Sequence, residues 1–151
     1  MDLYKFHSKP ETLDRYAERD QIVPERIYEI VKSGKKLTQK QEETLAKSTR
    51  YAYLYVLDVL KKQWPAGEAA IAKNAEYSYW YAYHVIKKPF PAGEAAIAKS
   101  AHIAYLYALC VLKKPWPAGE AAIANDTHVA YEYARSILKL PKEEAKQWGN
   151  K

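Results

Sequence analysis

Apolar and polar residues follow a pattern along this chain that repeats every 26 residues. The clearest copy, residues 64–89, reads WPAGEAAIAKNAEYSYWYAYHVIKKP. Two close copies follow at residues 90–115 and 116–141, and a more divergent copy precedes it at residues 38–63. A fixed period of roughly 20 to 50 residues is the sequence signature of repeat architectures. The pattern therefore predicts four equivalent structural units in residues 38–141.

Each repeat predicts a short helix followed by a longer one. In residues 64–89, Pro65 suits the first helical turn, where its missing N–H costs nothing, and Glu68 adds negative charge near the helix N-terminus. An alanine-rich run of high helix propensity follows. The second helix is predicted to begin at position 11 of every repeat, which carries good N-cap residues: Ser48, Asn74, Ser100 and Asp126. Prolines mark its predicted end in three repeats: Pro89, Pro115 and Pro141.

Five positions hold the same residue in all four repeats. They are a glutamate (Glu42, Glu68, Glu94, Glu120), an alanine (Ala46, Ala72, Ala98, Ala124), two tyrosines (Tyr53, Tyr79, Tyr105, Tyr131 and Tyr55, Tyr81, Tyr107, Tyr133) and a lysine (Lys61, Lys87, Lys113, Lys139). In the long helix, Ser78, Ala82 and Val85 share one face and predict a buried stripe. The tyrosines flank this stripe, and the repeated glutamate is a candidate partner for their hydroxyls. The predicted fold is all-α, a short α-solenoid of helix-pair repeats that pack one on the next.

The segments on either side of the array predict caps. Residues 1–37 predict a helical lead-in, in which Ser8 and Glu11 have the spacing of a capping box. Pro24 suits the first turn of a further helix in this segment, and Gly34 suits its end. Residues 142–151, a mostly polar segment that includes Trp148, predict a C-terminal cap or tail.

Positions 13, 17, 20 and 21 of the repeat share one face of the predicted long helix and vary between copies. We call these positions the variable face. Apolar side chains on a surface without a predicted core function are typical of a partner site. The candidate partner-binding residues are Trp80, Tyr83, His84, His102, Leu106, Leu109 and Arg135. The alternative is that this face packs against the lead-in, the tail or a second copy of the chain.

Lysine pairs at the ends of the long helices form a second candidate site. We call it the lysine rim, and it consists of Lys61, Lys62, Lys87, Lys88, Lys113 and Lys114. Trp64, Phe90 and Trp116 follow closely along the chain. Lysines interleaved with aromatic rings can bind phosphates and stack on bases. A structural interpretation is favoured, because lysines also complement the dipole at helix C-termini and aromatic rings can fill the gap between repeats.

Catalytic and metal sites have little support in the sequence. His84 and Cys110 occupy equivalent positions in adjacent repeats, but repeats stack about 10 Å apart, too far to share a metal without favourable rotamers. His102 and His128 face the same problem. Repetition of the glutamate in every unit favours a structural role over acid–base catalysis. The sequence has no glycine-rich phosphate loop or serine-centred elbow, so we expect a protein that is not an enzyme and binds no cofactor or metal.

Composition narrows the class of protein further. The net charge is +6, but it is spread thinly along the chain rather than concentrated in one basic arm. Cys110 is the only cysteine, which excludes an internal disulfide. No run of about 18 apolar residues predicts a membrane span. The first residues, MDLYK, lack the apolar core of a signal peptide, so a cytoplasmic location is expected.

The repeat core runs from AIAK through YWYA or YLYA to KK and PAGE, and it resembles a short tyrosine-rich repeat of small proteins of tailed bacteriophages. The opening LYKFHSKP is also similar to the start of such proteins. The likeness covers essentially the whole chain, although TQKQ at residues 38–41 replaces WPAG in the first repeat. The resemblance implies a phage accessory protein that acts in the bacterial cytoplasm.

The leading hypothesis from the sequence is a non-catalytic binding protein. Its variable face would bind and modulate a host bacterial protein or defence factor. The alternative is binding of nucleic acid or a small phosphorylated ligand through the lysine rim and its aromatic residues. Head-to-tail self-assembly is a third possibility, which the predicted C-terminal cap disfavours.

Overall fold

The computed structural model describes residues 23–150, which form ten α-helices. They are α1 (Pro24–Lys32), α2 (Gln39–Ala46), α3 (Thr49–Leu54), α4 (Pro65–Ile71), α5 (Ala75–Trp80), α6 (Pro91–Ile97), α7 (Ala101–Leu106), α8 (Pro117–Ala124), α9 (Thr127–Ser136) and α10 (Lys142–Gln147). Three continue as π-helices: α3 through Tyr55–Leu60, α5 through Tyr81–Ile86 and α7 through Tyr107–Leu112. The described residues contain no strand, which confirms the predicted all-α fold.

The capping box predicted at Ser8 and Glu11 lies outside the described residues. Within residues 23–150, no helix combines the length and the apolar character needed to cross a membrane.

Short helices α2, α4, α6 and α8 alternate with long helices α3, α5, α7 and α9, and the long helix of each repeat packs closely on the short helix of the next. A glycine in the short helix permits this approach. A Cβ atom on Gly93 would lie 2.5 Å from both Cβ and Oγ of Ser78 in α5. Gly119 faces Ala104 in the same way, at 3.0 Å. Small residues at position 15 of the repeat, Ser78 and Ala104, therefore form the surface on which the next repeat packs.

The core recurs with the repeat. An isoleucine of each short helix is fully buried in the second to fourth repeats: Ile71, Ile97 and Ile123. The second invariant tyrosine of the long helix is fully buried beside it: Tyr81, Tyr107 and Tyr133. Complete burial of one isoleucine side chain stabilises a fold by about 1.5 to 3 kcal/mol. The second tyrosine column is therefore part of the scaffold, whereas in the first column Tyr53 and Tyr79 are buried and Tyr105 and Tyr131 are half-buried.

Every long helix is followed by a lysine in the left-handed backbone conformation. The four residues are Lys61, Lys87, Lys113 and Lys139, with φ angles of 52°, 52°, 55° and 59°. In the first repeat, the N–H of Lys61 donates to the carbonyl oxygen of Val56 at 2.7 Å, which closes the π-helical turn. A side chain in this conformation costs about 1 to 2 kcal/mol, so the packing gained by the sharp reversal must exceed that cost. The second and third long helices thus end at Ile86 and Leu112, three residues before the prolines that were predicted to stop them.

Helix α1 occupies the place of a long helix that precedes the first repeat. It packs on α2 and α3, and Ile27 and Tyr28 are buried against Leu45 and Tyr55. Pro24 begins the helix, and Gly34 follows it with φ of 85°, as the sequence predicted. The lead-in therefore supplies half a repeat that covers the first short helix.

Helix α10 occupies the place of a fifth short helix at the other end. It packs on α9, and Ala145 is buried in the contact. Trp148 follows it and packs on Tyr133, with ring centroids 5.1 Å apart. In the second and third repeats the corresponding tyrosine meets an aromatic residue that begins the next repeat, as Tyr107 meets Trp116 at 5.1 Å. Trp148 supplies the equivalent ring to Tyr133, but it follows the short helix α10, whereas Trp116 precedes the short helix α8.

Candidate functional site

Hydrogen-bond chains link the invariant glutamates to the second invariant tyrosine. In the third repeat, the hydroxyl of Tyr107 donates to Oε1 of Glu94 at 2.9 Å and accepts from the backbone N–H of Phe90 at 2.8 Å. The second and fourth repeats contain the same chain, through Tyr81 and Tyr133. The glutamate is thus confirmed as the tyrosine partner, and it joins the short helix to the long helix of one repeat.

The first repeat replaces one end of this chain with a capping box. The N–H of Thr38 donates to Oε1 of Gln41 at 2.9 Å, and the N–H of Gln41 donates to Oγ1 of Thr38 at 3.3 Å. Each group satisfies a donor that the helix itself leaves unpaired. The departure of residues 38–41 from the repeat pattern therefore has a local structural cause.

The buried tyrosines are weaker acids than free tyrosine. Burial raises the pKa of Tyr133 to about 12; the N–H bond from Trp116 lowers it in part, and the carboxylate of Glu120 raises it. The same causes raise the pKa of Tyr81 and Tyr107. A tyrosinate at these positions would be desolvated and would face a negative charge.

These raised pKa values predict loss of stability in alkali. A folded pKa above the unfolded value of about 10 means that folding favours the protonated tyrosine. The resulting stabilisation is complete below about pH 10 and is lost as the pH rises towards the folded pKa of about 12. We expect helical circular dichroism to fall together with the appearance of tyrosinate absorbance. A titration in concentrated urea gives the unfolded reference, and complete ionisation with unchanged helicity would contradict this account.

Position 21 of the variable face contacts a tyrosine of the preceding helix pair in the first, third and fourth repeats. The pairs are Tyr28 with Asp58, Tyr79 with Cys110 and Tyr105 with Ser136. Tyr28 donates to the carboxylate of Asp58, while Oγ of Ser136 donates to the hydroxyl of Tyr105 at 3.2 Å. Burial and the neighbouring Cys110 thiol raise the pKa of Tyr79. Position 21 therefore has a structural task as well as an exposed side.

The candidate partner-binding residues divide into two groups by burial. Trp80, Leu106 and Leu109 are half-buried, and Trp80 packs against Tyr53 with ring centroids 6.0 Å apart. Tyr83, at 45% exposure, and three polar residues face solvent: His84, His102 and Arg135. Most apolar side chains of the variable face are thus partly buried against neighbouring residues. Their spacing along the predicted helix did not indicate this burial.

Arg135 is also engaged within the chain. Its Nη1 donates to the carbonyl oxygen of Leu140 at 2.6 Å, close to the end of the fourth repeat. Tyr83 and His84 form an exposed pair of rings on this face, with ring centroids 4.9 Å apart and planes inclined by 75°.

A groove lies between the C-terminal parts of the second and third long helices. Its volume is about 560 Å³, and its lining is Ala82, Tyr83, His84, Lys87, Cys110, Val111 and Lys113. It brings residues of the variable face together with residues of the lysine rim. The sequence placed His84 and Cys110 at equivalent positions, but it did not indicate that lysines from the rim would face the same space.

The lysine rim does not act as one continuous surface. Lys87 and Lys113 line the groove, whereas Nζ of Lys88 donates to Oε1 of Gln63 at 3.3 Å. The neighbouring aromatic residues Phe90 and Trp116 are buried between repeats, as the structural interpretation of the rim predicted. They are therefore unavailable for stacking on bases.

A second groove, of about 520 Å³, separates the first two short helices. Alanines and Trp64 supply much of its lining, together with charged residues at its edges. The signal in the sequence was the presence of alanines on the outer side of the short helix, such as Ala66 and Ala69, both of which are exposed. Small side chains leave a channel where two helices run side by side.

In the part of the chain that the structure describes, no group of three or more histidine, cysteine, aspartate or glutamate residues is arranged to hold a metal ion. A scan against models of protein families, a search of curated proteins and a search of solved structures found no match to this chain.

Proposed function

We propose that this protein is a non-catalytic binding protein that recognises a partner protein through the variable face of its long helices. The observation that carries the proposal is the contrast between the second invariant tyrosine, which belongs to the buried core, and Tyr83 and His84 of the variable face, which are exposed. The second invariant tyrosine is buried and hydrogen-bonded to the glutamate, whereas Tyr83 is 45% exposed beside a groove. Exposed aromatic rings beside pockets are typical centres of protein interfaces.

The resemblance to tyrosine-rich repeats of tailed bacteriophages supports a bacterial protein as the partner. We propose a phage accessory protein that binds and modulates a host protein or a defence factor in the bacterial cytoplasm. A scaffold of repeats suits this role, because residues outside the core can change without altering the fold.

Replacing Tyr83 and His84 together with alanine is expected to weaken partner capture at least about tenfold, or ~1.4 kcal/mol. Both side chains are exposed, so the helical circular dichroism should not change. Trp80 and Leu106 are less suitable targets because their truncation also removes core packing. Capture from nuclease-treated bacterial lysate, quantified by mass spectrometry, measures the effect. Lys73→Ala, outside the variable face, is the control, and equal capture by all three proteins would refute the proposal.

A second function, binding of a phosphorylated ligand, is favoured by one observation. Lys87 and Lys113 come from different repeats and line the same groove. Binding through lysines should weaken steeply as the salt concentration rises. Binding that is independent of salt would count against this function.

A further inference from the structure

We propose that the groove between the second and third long helices binds a small phosphorylated molecule with a flat ring, of the size and chemistry of a nucleoside monophosphate. The proposal rests on the second candidate function above, and it names the site and the class of ligand. The groove has a volume of about 560 Å³, which lies within the roughly 300 to 1,000 Å³ typical of small-molecule sites.

Two ammonium groups supply the recognition of phosphate. Lys87 and Lys113 are the left-handed residues that end their helices, with φ of 52° and 55°. Both lysines occupy the same position at the C-terminal ends of long helices in adjacent repeats, and both line the groove. The carbonyl groups at these helix ends carry partial negative charge. The two lysines must therefore provide the attraction for an anion.

The charge of this groove distinguishes it from the equivalent position one repeat earlier. Its lining contains two lysines and His84 but no carboxylate. Position 21 of the first repeat is Asp58, which accepts a hydrogen bond from Tyr28. An anion would be repelled there, so sequence variation at position 21 makes the groove between the second and third repeats favourable for an anion.

Tyr83 supplies a surface for a flat ring. Its ring is stacked on Tyr79, with centroids 5.9 Å apart and planes 16° apart. Tyr79 is buried, so the stack fixes one face of Tyr83 while 45% of the residue remains exposed. Stacking of a base on an aromatic side chain contributes about 1 to 3 kcal/mol. The combination of an ordered aromatic ring and two lysines fits a ligand that joins a base to a phosphate.

Cys110 provides a built-in reporter of occupancy. It is the only cysteine of the chain, is free and half-buried, and lines the groove. The rate of its alkylation by neutral iodoacetamide can be measured by mass spectrometry with adenosine monophosphate, inorganic phosphate or adenosine present. With adenosine monophosphate at about ten times its dissociation constant, the rate should fall about tenfold. Phosphate alone and adenosine alone should protect at higher concentrations only.

The double variant Lys87→Gln/Lys113→Gln should lose this protection. The matched control is Lys61→Gln/Lys139→Gln, which removes the same charge from the same left-handed positions outside the groove and should remain protected. Circular dichroism establishes that both variants are folded. The proposal is overturned if adenosine monophosphate gives no protection, or if adenosine protects equally well. The proposal is also overturned if adenosine monophosphate still protects Cys110 in the Lys87→Gln/Lys113→Gln variant. Partner capture is measured separately, so a negative result here leaves the protein-binding proposal standing.

Discussion

Replacing Tyr107 with alanine is expected to lower the free energy of unfolding by about 3 to 5 kcal/mol, the range for large buried aromatic side chains. Tyr107 is fully buried and packs its ring on Trp116 of the next repeat. The substitution leaves a cavity between repeats and removes the hydroxyl that pairs with the N–H of Phe90 and the carboxylate of Glu94. Domains are stable by only about 5 to 15 kcal/mol in total, so this single change brings the protein close to unfolding.

Tyr107→Phe separates the hydrogen bonds from the ring. It keeps the packing on Trp116 but removes the hydroxyl, and leaving buried polar groups unpaired costs about 1 to 3 kcal/mol. Tyr83→Phe is the matched control, because that residue is 45% exposed and should change stability by less than about 0.5 kcal/mol. Urea unfolding followed by circular dichroism measures all three variants. If Tyr107→Phe is as stable as the unaltered protein, the glutamate–tyrosine chain contributes nothing to the fold.

The repeat period and the residue types at its constant positions were sufficient to predict the main architecture. Alternating short and long helices follow from helix-starting residues such as Pro65 and Asn74, and the Asn74 side chain accepts from the N–H of Tyr77 at 3.0 Å. The glutamate–tyrosine pairing was predictable because buried hydroxyls need partners at the same period. The stop at Gly34 followed from the preference of glycine for left-handed backbone.

Three features of the scaffold could not be predicted from the sequence, each for a physical reason. The π-helical turns differ from α-helix in hydrogen-bond register rather than in residue type, so apolar spacing does not reveal them. The left-handed conformation of Lys61 and its counterparts has no residue-type signal, since glycine or asparagine is usual there. The pairing of each long helix with the next short helix depends on the fit of Gly93 against Ser78, which becomes visible only when the helices are placed together.

The sequence singled out residues of the candidate site but did not indicate their arrangement. Variation between repeats drew attention to Tyr83 and His84, which the structure places at the surface. It also drew attention to Trp80, whose half-burial against Tyr53 depends on a neighbouring repeat. The groove that unites His84 with Lys113 arises from two different repeats. Variation within one helix cannot report which side chains of the next helix face it.

Removal of the third repeat, residues 90–115, should leave a folded protein with three repeats. The deletion joins Pro89 to Trp116, which reproduces the junction between the third and fourth repeats. Tyr79 would then face Ser136, the residue that Tyr105 meets in the intact chain. Because each repeat contacts mainly its neighbours, the shortened array should retain cooperative unfolding at lower total stability.

Urea unfolding of this deletion variant, followed by circular dichroism, is the measurement that most directly tests whether the scaffold consists of interchangeable 26-residue units. The control deletion of residues 90–102 removes one short helix together with the first two residues of the next long helix, and it places two long helices in succession. We predict a single cooperative transition for the deletion of residues 90–115 and no folded baseline for the control. Loss of cooperative folding in both variants would contradict the account, because the invariant tyrosines and glutamates would then fail to define a self-sufficient unit.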